Sequence, residues 1–219
     1  MADPYATTAP DLSARPDGPA PWAGAVAERG GEEIDPQAAL AGSDGFAFVH
    51  CRGVGTLAPI ARLDPALAAL LWLEHAAGHA DGATANALLA GLRDARRPLY
   101  AIKQGMVGGP PERPGCLEVE ATLIAAVLDA EQSNGVVWER DPDFGYEVPA
   151  VVEGLGAAAS RCLLPRLHYA DHDRVYEHAG LVAAKKRERH ALATAIPAVA
   201  PEIVAASGWP PPTAGSWRD

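Results

Sequence analysis

The chain has 219 residues, 48% of them hydrophobic and 21% charged, with a formal net charge of −10. That length and apolar content suit one medium domain with a sizeable core, and the acidic balance argues against a nucleic-acid backbone as partner. No apolar run reaches the ~18 residues of a membrane helix, and no basic stretch leads into an apolar core as a secretory leader would, so a cytoplasmic protein without a membrane partner is expected. Cys51, Cys116 and Cys162 are odd in number and widely spaced, which fits reduced thiols better than a disulfide framework or a metal trio.

Residues 1–44 are rich in Ala, Pro, Gly and acidic side chains and lack bulky apolar periodicity. Such a segment buries too little to offset the entropy of ordering, so a disordered arm is expected, with Trp22 as its one anchor and partner binding as the alternative role. From Gly45, Phe46, Phe48 and His50 alternate with Ala47, Val49 and Cys51, the pattern of a strand buried on both faces. Gly53, Gly55 and Pro59 break it, and Arg62 is placed to tie the following turn to a carboxylate or carbonyl. Asp64-Pro65 then starts a helix, as cap and first position, running to about Gly78 with Leu67, Leu70, Leu71 and Trp72 on its core side. His75 and His79, one turn apart, are read as complements of the helix C-terminus rather than metal ligands. A second helix around Ala85 to Leu92 ends in Arg93, Arg96 and Arg97, a solvated terminus.

The stretch from Pro98 to Pro149 is the most informative. Leu99 to Ile102 reads as a buried strand that stops at Gly105, Gly108 and Gly109, with Pro110-Pro111 forbidding continuation. Glu118 to Glu131 has helical spacing, Asn134-Gly135 marks a turn, and Val136-Val137-Trp138 a strand. Asp141-Pro142 and Val148-Pro149 bracket a rigid loop with aromatic anchors. A glycine loop between strand and helix invites an anion, yet GMVGG matches neither G-x-x-x-x-G-K-[ST] nor G-x-G-x-x-G. Glu112, Glu118 and Glu120 oppose a phosphate with only Arg113 favouring it, so a structural turn is the preferred reading.

Beyond it, Val151 to Leu164 reads as a Gly/Ala loop. His168, Asp171, His172, Asp173 and His178 form the densest titratable cluster, open to a divalent metal or proton shuttling. Helix electrostatics explain the cluster better. Asp171 and Asp173 sit at a helix start, Val175, Leu181 and Val182 form its buried stripe, and Lys185, Lys186, Arg187 and Arg189 load its last turns. Pro197 and Pro201 end the regular structure, leaving a loose tail over 198–219 whose Trp209 and Trp217 are available to a partner.

Residues 45 to 196 resemble the C-terminal region of the ATP-dependent phosphoenolpyruvate carboxykinases. The likeness rests on FAFVHCRGVGTLAPIARL, on Ala101-Ile102 leading into Gly105 to Gly109, on Leu128-Asp129-Ala130, on the segment DPDFGYEVP (Asp141 to Pro149), and on Leu164-Pro165-Arg166 with Tyr169-Ala170-Asp171. It implies an α/β domain over 45–197, with a mixed sheet and flanking helices. In that family oxaloacetate and ATP give phosphoenolpyruvate, ADP and CO2, and the reaction needs a phosphate cradle, metal ions and a cationic clamp. The family's Walker-type loop has no counterpart here. At its nucleotide-contacting positions this chain carries Glu112-Arg113-Pro114-Gly115 and Glu118-Val119-Glu120-Ala121, retaining only Arg113.

The resemblance therefore implies a carboxykinase-like domain without independent catalysis, an accessory or ligand-binding subunit. The alternatives are one part of a split carboxykinase completed by a partner chain, or a decayed fragment. Nucleotide-binding candidates are Gly105, Gly108, Gly109 and Arg113, with ATP and Mg or Mn implied only if a partner supplies the missing elements. No catalytic or metal-ligating residue is assigned.

Overall fold

The computed structural model describes residues 47–50, 57–75, 81–95, 98–103, 105–108, 117–119, 121–169 and 172–209. The expected arm over 1–44, the sites Gly109 and Arg113, and Trp217 lie outside them. Strands β1 (Ala47–His50), β2 (Ile60–Leu63), β3 (Leu99–Ile102), β6 (Val136–Arg140) and β7 (Glu147–Val152) form one sheet in the order β1-β3-β2-β7-β6. β1 and β3 run parallel and the other pairs antiparallel, so the chain is an α/β fold with a mixed sheet, as expected. A separate ribbon pairs β4 (Gly105–Val107) with β5 (Leu117–Val119).

Helices cover both faces of the sheet. The first core gathers side chains from α1 (Pro65–His75), α2 (Gly82–Ala95), α5 (His172–Ala195) and α6 (Pro201–Ala205), and the second is built around α3 (Ala121–Gln132) and the ribbon. β3 serves both. Leu99 and Ala101 enter the first core while Tyr100 and Ile102 face the second, the alternation a strand with two covered faces requires. On α1 every residue from Leu67 to Leu73 except Trp72 is buried. A helix apolar around its whole circumference must be enclosed on all sides, so its buried surface is wider than the one face expected. Asp64 caps it as expected, Oδ1 accepting the N–H groups of Ala66 and Leu67 at 2.9 Å.

Several expectations need correction. Helix α3 starts at Ala121, because Leu117–Val119 pairs with the glycine segment as strand β5; helical spacing over so few residues does not outweigh an available strand partner. At the Asn134-Gly135 turn it is Asn134 that takes positive φ, at 57°. Gly135 is needed for space, since a Cβ there would stand 2.9 Å from the Glu153 carboxylate. The supposed Gly/Ala loop after Val151 holds the end of β7 and α4 (Ala157–Cys162), which a 3-10 turn over Pro165–Tyr169 follows. The tail expected over 198–219 is ordered at its start: α6 buries Ile203, and the Arg187 guanidinium lies 5.6 Å over the Trp209 ring.

Val148-Pro149 does not bracket a loop but lies within β7. Its ladder with β6 shifts by one between Val137↔Val151 and Trp138↔Pro149, leaving Ala150 as the extra residue of a bulge. Val148 and Val152, four residues apart, would otherwise share a face; the bulge sends Val148 into the first core and Val152 into the second. A proline without N–H is tolerated beside such an irregularity.

Candidate functional site

The predicted nucleotide site divides between described and undescribed residues. Gly105 lies in β4, paired with Val119, and Gly108 follows the strand with φ 92°. Both basic side chains at this segment are turned onto backbone oxygens. The Lys103 ammonium, almost wholly buried, donates to the Met106 carbonyl at 2.5 Å. Arg174 donates to the Gly108 carbonyl and to the His168 carbonyl, and stacks 4.7 Å over the Tyr169 ring. A triphosphate cradle needs converging N–H groups and cations facing the anion. Of the candidate residues Gly105 belongs to the paired ribbon and Gly108 follows it, the two described cations donate to carbonyls, and Gly109 and Arg113 lie outside the described residues. No three or more His, Cys, Asp or Glu side chains converge among the described residues in a way suited to a metal ion.

Arg62 ties down its turn as expected. Its Nε donates to Glu147 at 2.5 Å, and a terminal nitrogen lies 3.7 Å from Glu131. Glu131, in the last turn of α3, also accepts the Tyr100 hydroxyl and the Trp138 indole N–H, each at 2.8 Å. One carboxylate thus binds helix, two sheet strands and a cation. Burial, then the Glu131 contact, push the Tyr100 hydroxyl far above its ordinary range, so it stays a donor. This cluster fastens α3 to the sheet.

The DPDFGYEVP segment forms the β6–β7 connection. Asp141 Oδ1 accepts the N–H groups of Asp143 at 3.0 Å and Phe144 at 2.8 Å, and its own N–H donates to the Tyr146 carbonyl. Gly145 supplies the φ of 77° that closes the turn. Phe144 and Tyr146 stack at 5.6 Å, and the Tyr146 hydroxyl accepts the Ala58 N–H at 3.1 Å. Asp143 Oδ2 meets His178 Nε2 of α5 at 2.8 Å. That hydrogen bond, against some desolvation, holds the Asp143 carboxyl below its usual range, whereas burial raises that of Asp141.

Of the His/Asp cluster expected around the start of α5, only His168 and His178 have described side chains. His178 pairs with Asp143, and His168 Nε2 lies 3.3 Å from the Cys162 carbonyl; Asp171 and the side chains of His172 and Asp173 lie outside the described residues. The cations expected in the last turns of α5 stand mid-helix, because the helix continues to Ala195. Lys185 and Arg189 turn inward, where both pair with Glu74 of α1. Sequence reasoning missed this network. The available signal was Glu74 closing an otherwise apolar helix, opposite cations spaced i, i+4.

Fold and site define an α/β scaffold in which a long helix pins the β6–β7 turn through an Asp–His contact and the glycine segment is closed into a ribbon. Among known proteins, no family model matches the chain and no curated protein matches it. No helix among the described residues is long and apolar enough to cross a membrane.

Proposed function

We propose that the chain is a carboxykinase-like domain without catalysis of its own, working as an accessory subunit in the cytoplasm. The observation that carries this reading is that Gly105–Val107 is paired as a strand, with Lys103 and Arg174 donating to the Met106 and Gly108 carbonyls beside it. It is supported by the position of β7, whose Glu147 faces Arg62 of β2, itself opposite Tyr100 of β3. The end of DPDFGYEVP is thus part of the sheet to which Ala47–His50, Ile60–Leu63 and Ala101-Ile102 of the other resembling segments belong. Phosphoryl transfer rests on positioning and charge stabilisation, and neither is provided by these residues.

The test is direct. Purified chain given oxaloacetate, ATP and Mn2+ forms no phosphoenolpyruvate above background, and ATP with Mg2+ or Mn2+ leaves Tm unchanged. Turnover by the chain alone overturns the reading, as does a clear rise in Tm, since ligand at a hundred times its Kd stabilises by about 2.7 kcal/mol. Turnover that appears only on adding a P-loop protein transfers the assignment to a split carboxykinase.

A further inference from the structure

Between the Asp141–Gly145 turn, α5 and the end of α6 lies a cleft of about 300 Å3, at the small end for ligand pockets. Leu67 and Phe144 give it apolar wall; Asp64, Asp141 and Asp143 border it together with Arg140 and Lys186. All three carboxylates are already engaged. Asp64 caps α1, Asp141 accepts two turn N–H groups, and Asp143 holds His178. The cations differ. Among the described residues neither Arg140 nor Lys186 has a carboxylate within ion-pair distance; Lys186 approaches the Phe144 ring, at 6.0 Å, and acts on Asp143 through the longer-range field.

Two glycines of positive φ lie beside these cations, close enough for a Cβ to make contact with them. A Cβ on Gly145 would stand 3.5 Å from an Arg140 terminal nitrogen, and one on Gly208 would stand 3.7 Å from the Lys186 ammonium. Arg189, 5.4 Å from the Phe144 centroid, is held behind the same ring by Glu74, which it shares with Lys185. A planar guanidinium fork beside an ammonium suits a carboxylate. With three carboxylates against two cations the border is net negative, so a second negative charge on the ligand adds more repulsion than attraction. The apolar wall favours a ligand with a hydrocarbon body.

We propose that this cleft binds a small organic monocarboxylate, its charged end on Arg140 and Lys186 and its apolar body against Phe144 and Leu67. The inference is independent of the carboxykinase resemblance. The full chain is titrated at pH 7 with benzoate, with its neutral counterpart benzamide, and with inorganic phosphate, following binding by calorimetry and backbone amide resonances by NMR. Benzoate binds saturably and moves the Gly145 and Gly208 amides; benzamide and phosphate bind at least about tenfold more weakly. Arg140→Gln and Lys186→Gln each weaken benzoate about tenfold or more, the scale of one charge-assisted hydrogen bond. No saturable benzoate binding, equal binding of benzamide or phosphate, or amide shifts confined to other parts of the chain overturns the proposal. Those readouts come from the unsubstituted protein, so a variant that fails to fold leaves the test intact; folded variants with unchanged affinity also overturn it.

Discussion

Glu74 shows how much a single buried side chain can organise. Its carboxylate, 12% exposed, faces Lys185 at 8% and Arg189 at 2%. Burying one anion with two cations is costly, and the arrangement holds only because each charge has a partner. Removing the shared carboxylate leaves two buried cations, with the largely exposed Glu188 as the remaining anion beside Lys185. Glu74→Ala is expected to lower unfolding free energy by about 3–5 kcal/mol in urea denaturation. Val175→Ala, at a position that is exposed and not part of the buried stripe expected of it, stays within about 0.5 kcal/mol. A Glu74→Ala loss no larger than that of Val175→Ala shows that the two cations do not depend on the carboxylate.

At the scale of elements, α2 is set by a backbone approach rather than by its apolar stripe alone. A Cβ on Gly82, its first residue, would stand 2.1 Å from the Pro197 carbonyl, in the turn joining α5 to α6. That turn carries Ala198 at φ 61°, and Asn86 of α2 brackets it, donating to the Ala198 carbonyl and accepting the Ala200 N–H, both at 2.8 Å. Gly82→Ala must push the helix start away from the turn. The expected cost is about 1–3 kcal/mol, the scale of overpacking, although alanine is the better helix former. Equal or raised Tm in the variant shows that α2 and the turn do not meet this closely. Beyond that turn α6 packs on α1 and α5.

For the whole molecule, stability against pH reports how the β6–β7 turn is held. Asp143 has a lowered carboxyl pKa in the folded state through His178, so its contribution is present above the unfolded value of about 3.9 and is lost as pH falls through the lower folded value. Asp141 is shifted upward by burial, so its ionised form costs stability above its folded pKa, and that cost disappears as pH falls. Urea midpoints should show Asp143→Asn less stable than the parent at pH 6, with the gap closing below about pH 4. Asp141→Asn, which keeps the oxygen that caps the turn, should gain on the parent as pH rises from the same range. Gaps that do not vary with pH separate both groups from the fold's titration. Local pattern alone determined the strand at Leu99–Ile102, the capped start of α1 and the placing of β6, because each depends on residues a few positions apart; for Arg62 it left a tie to a carboxylate or carbonyl and a solvated surface position both open. The β4–β5 ribbon, the bulge at Ala150, the Glu74 network and the cleft beside Arg140 and Lys186 were decided only by tertiary structure. The Glu74 network and the cleft join segments far apart in the chain, whereas the ribbon and the bulge turn on which strands pair and in what register; neither kind of choice is encoded by local spacing.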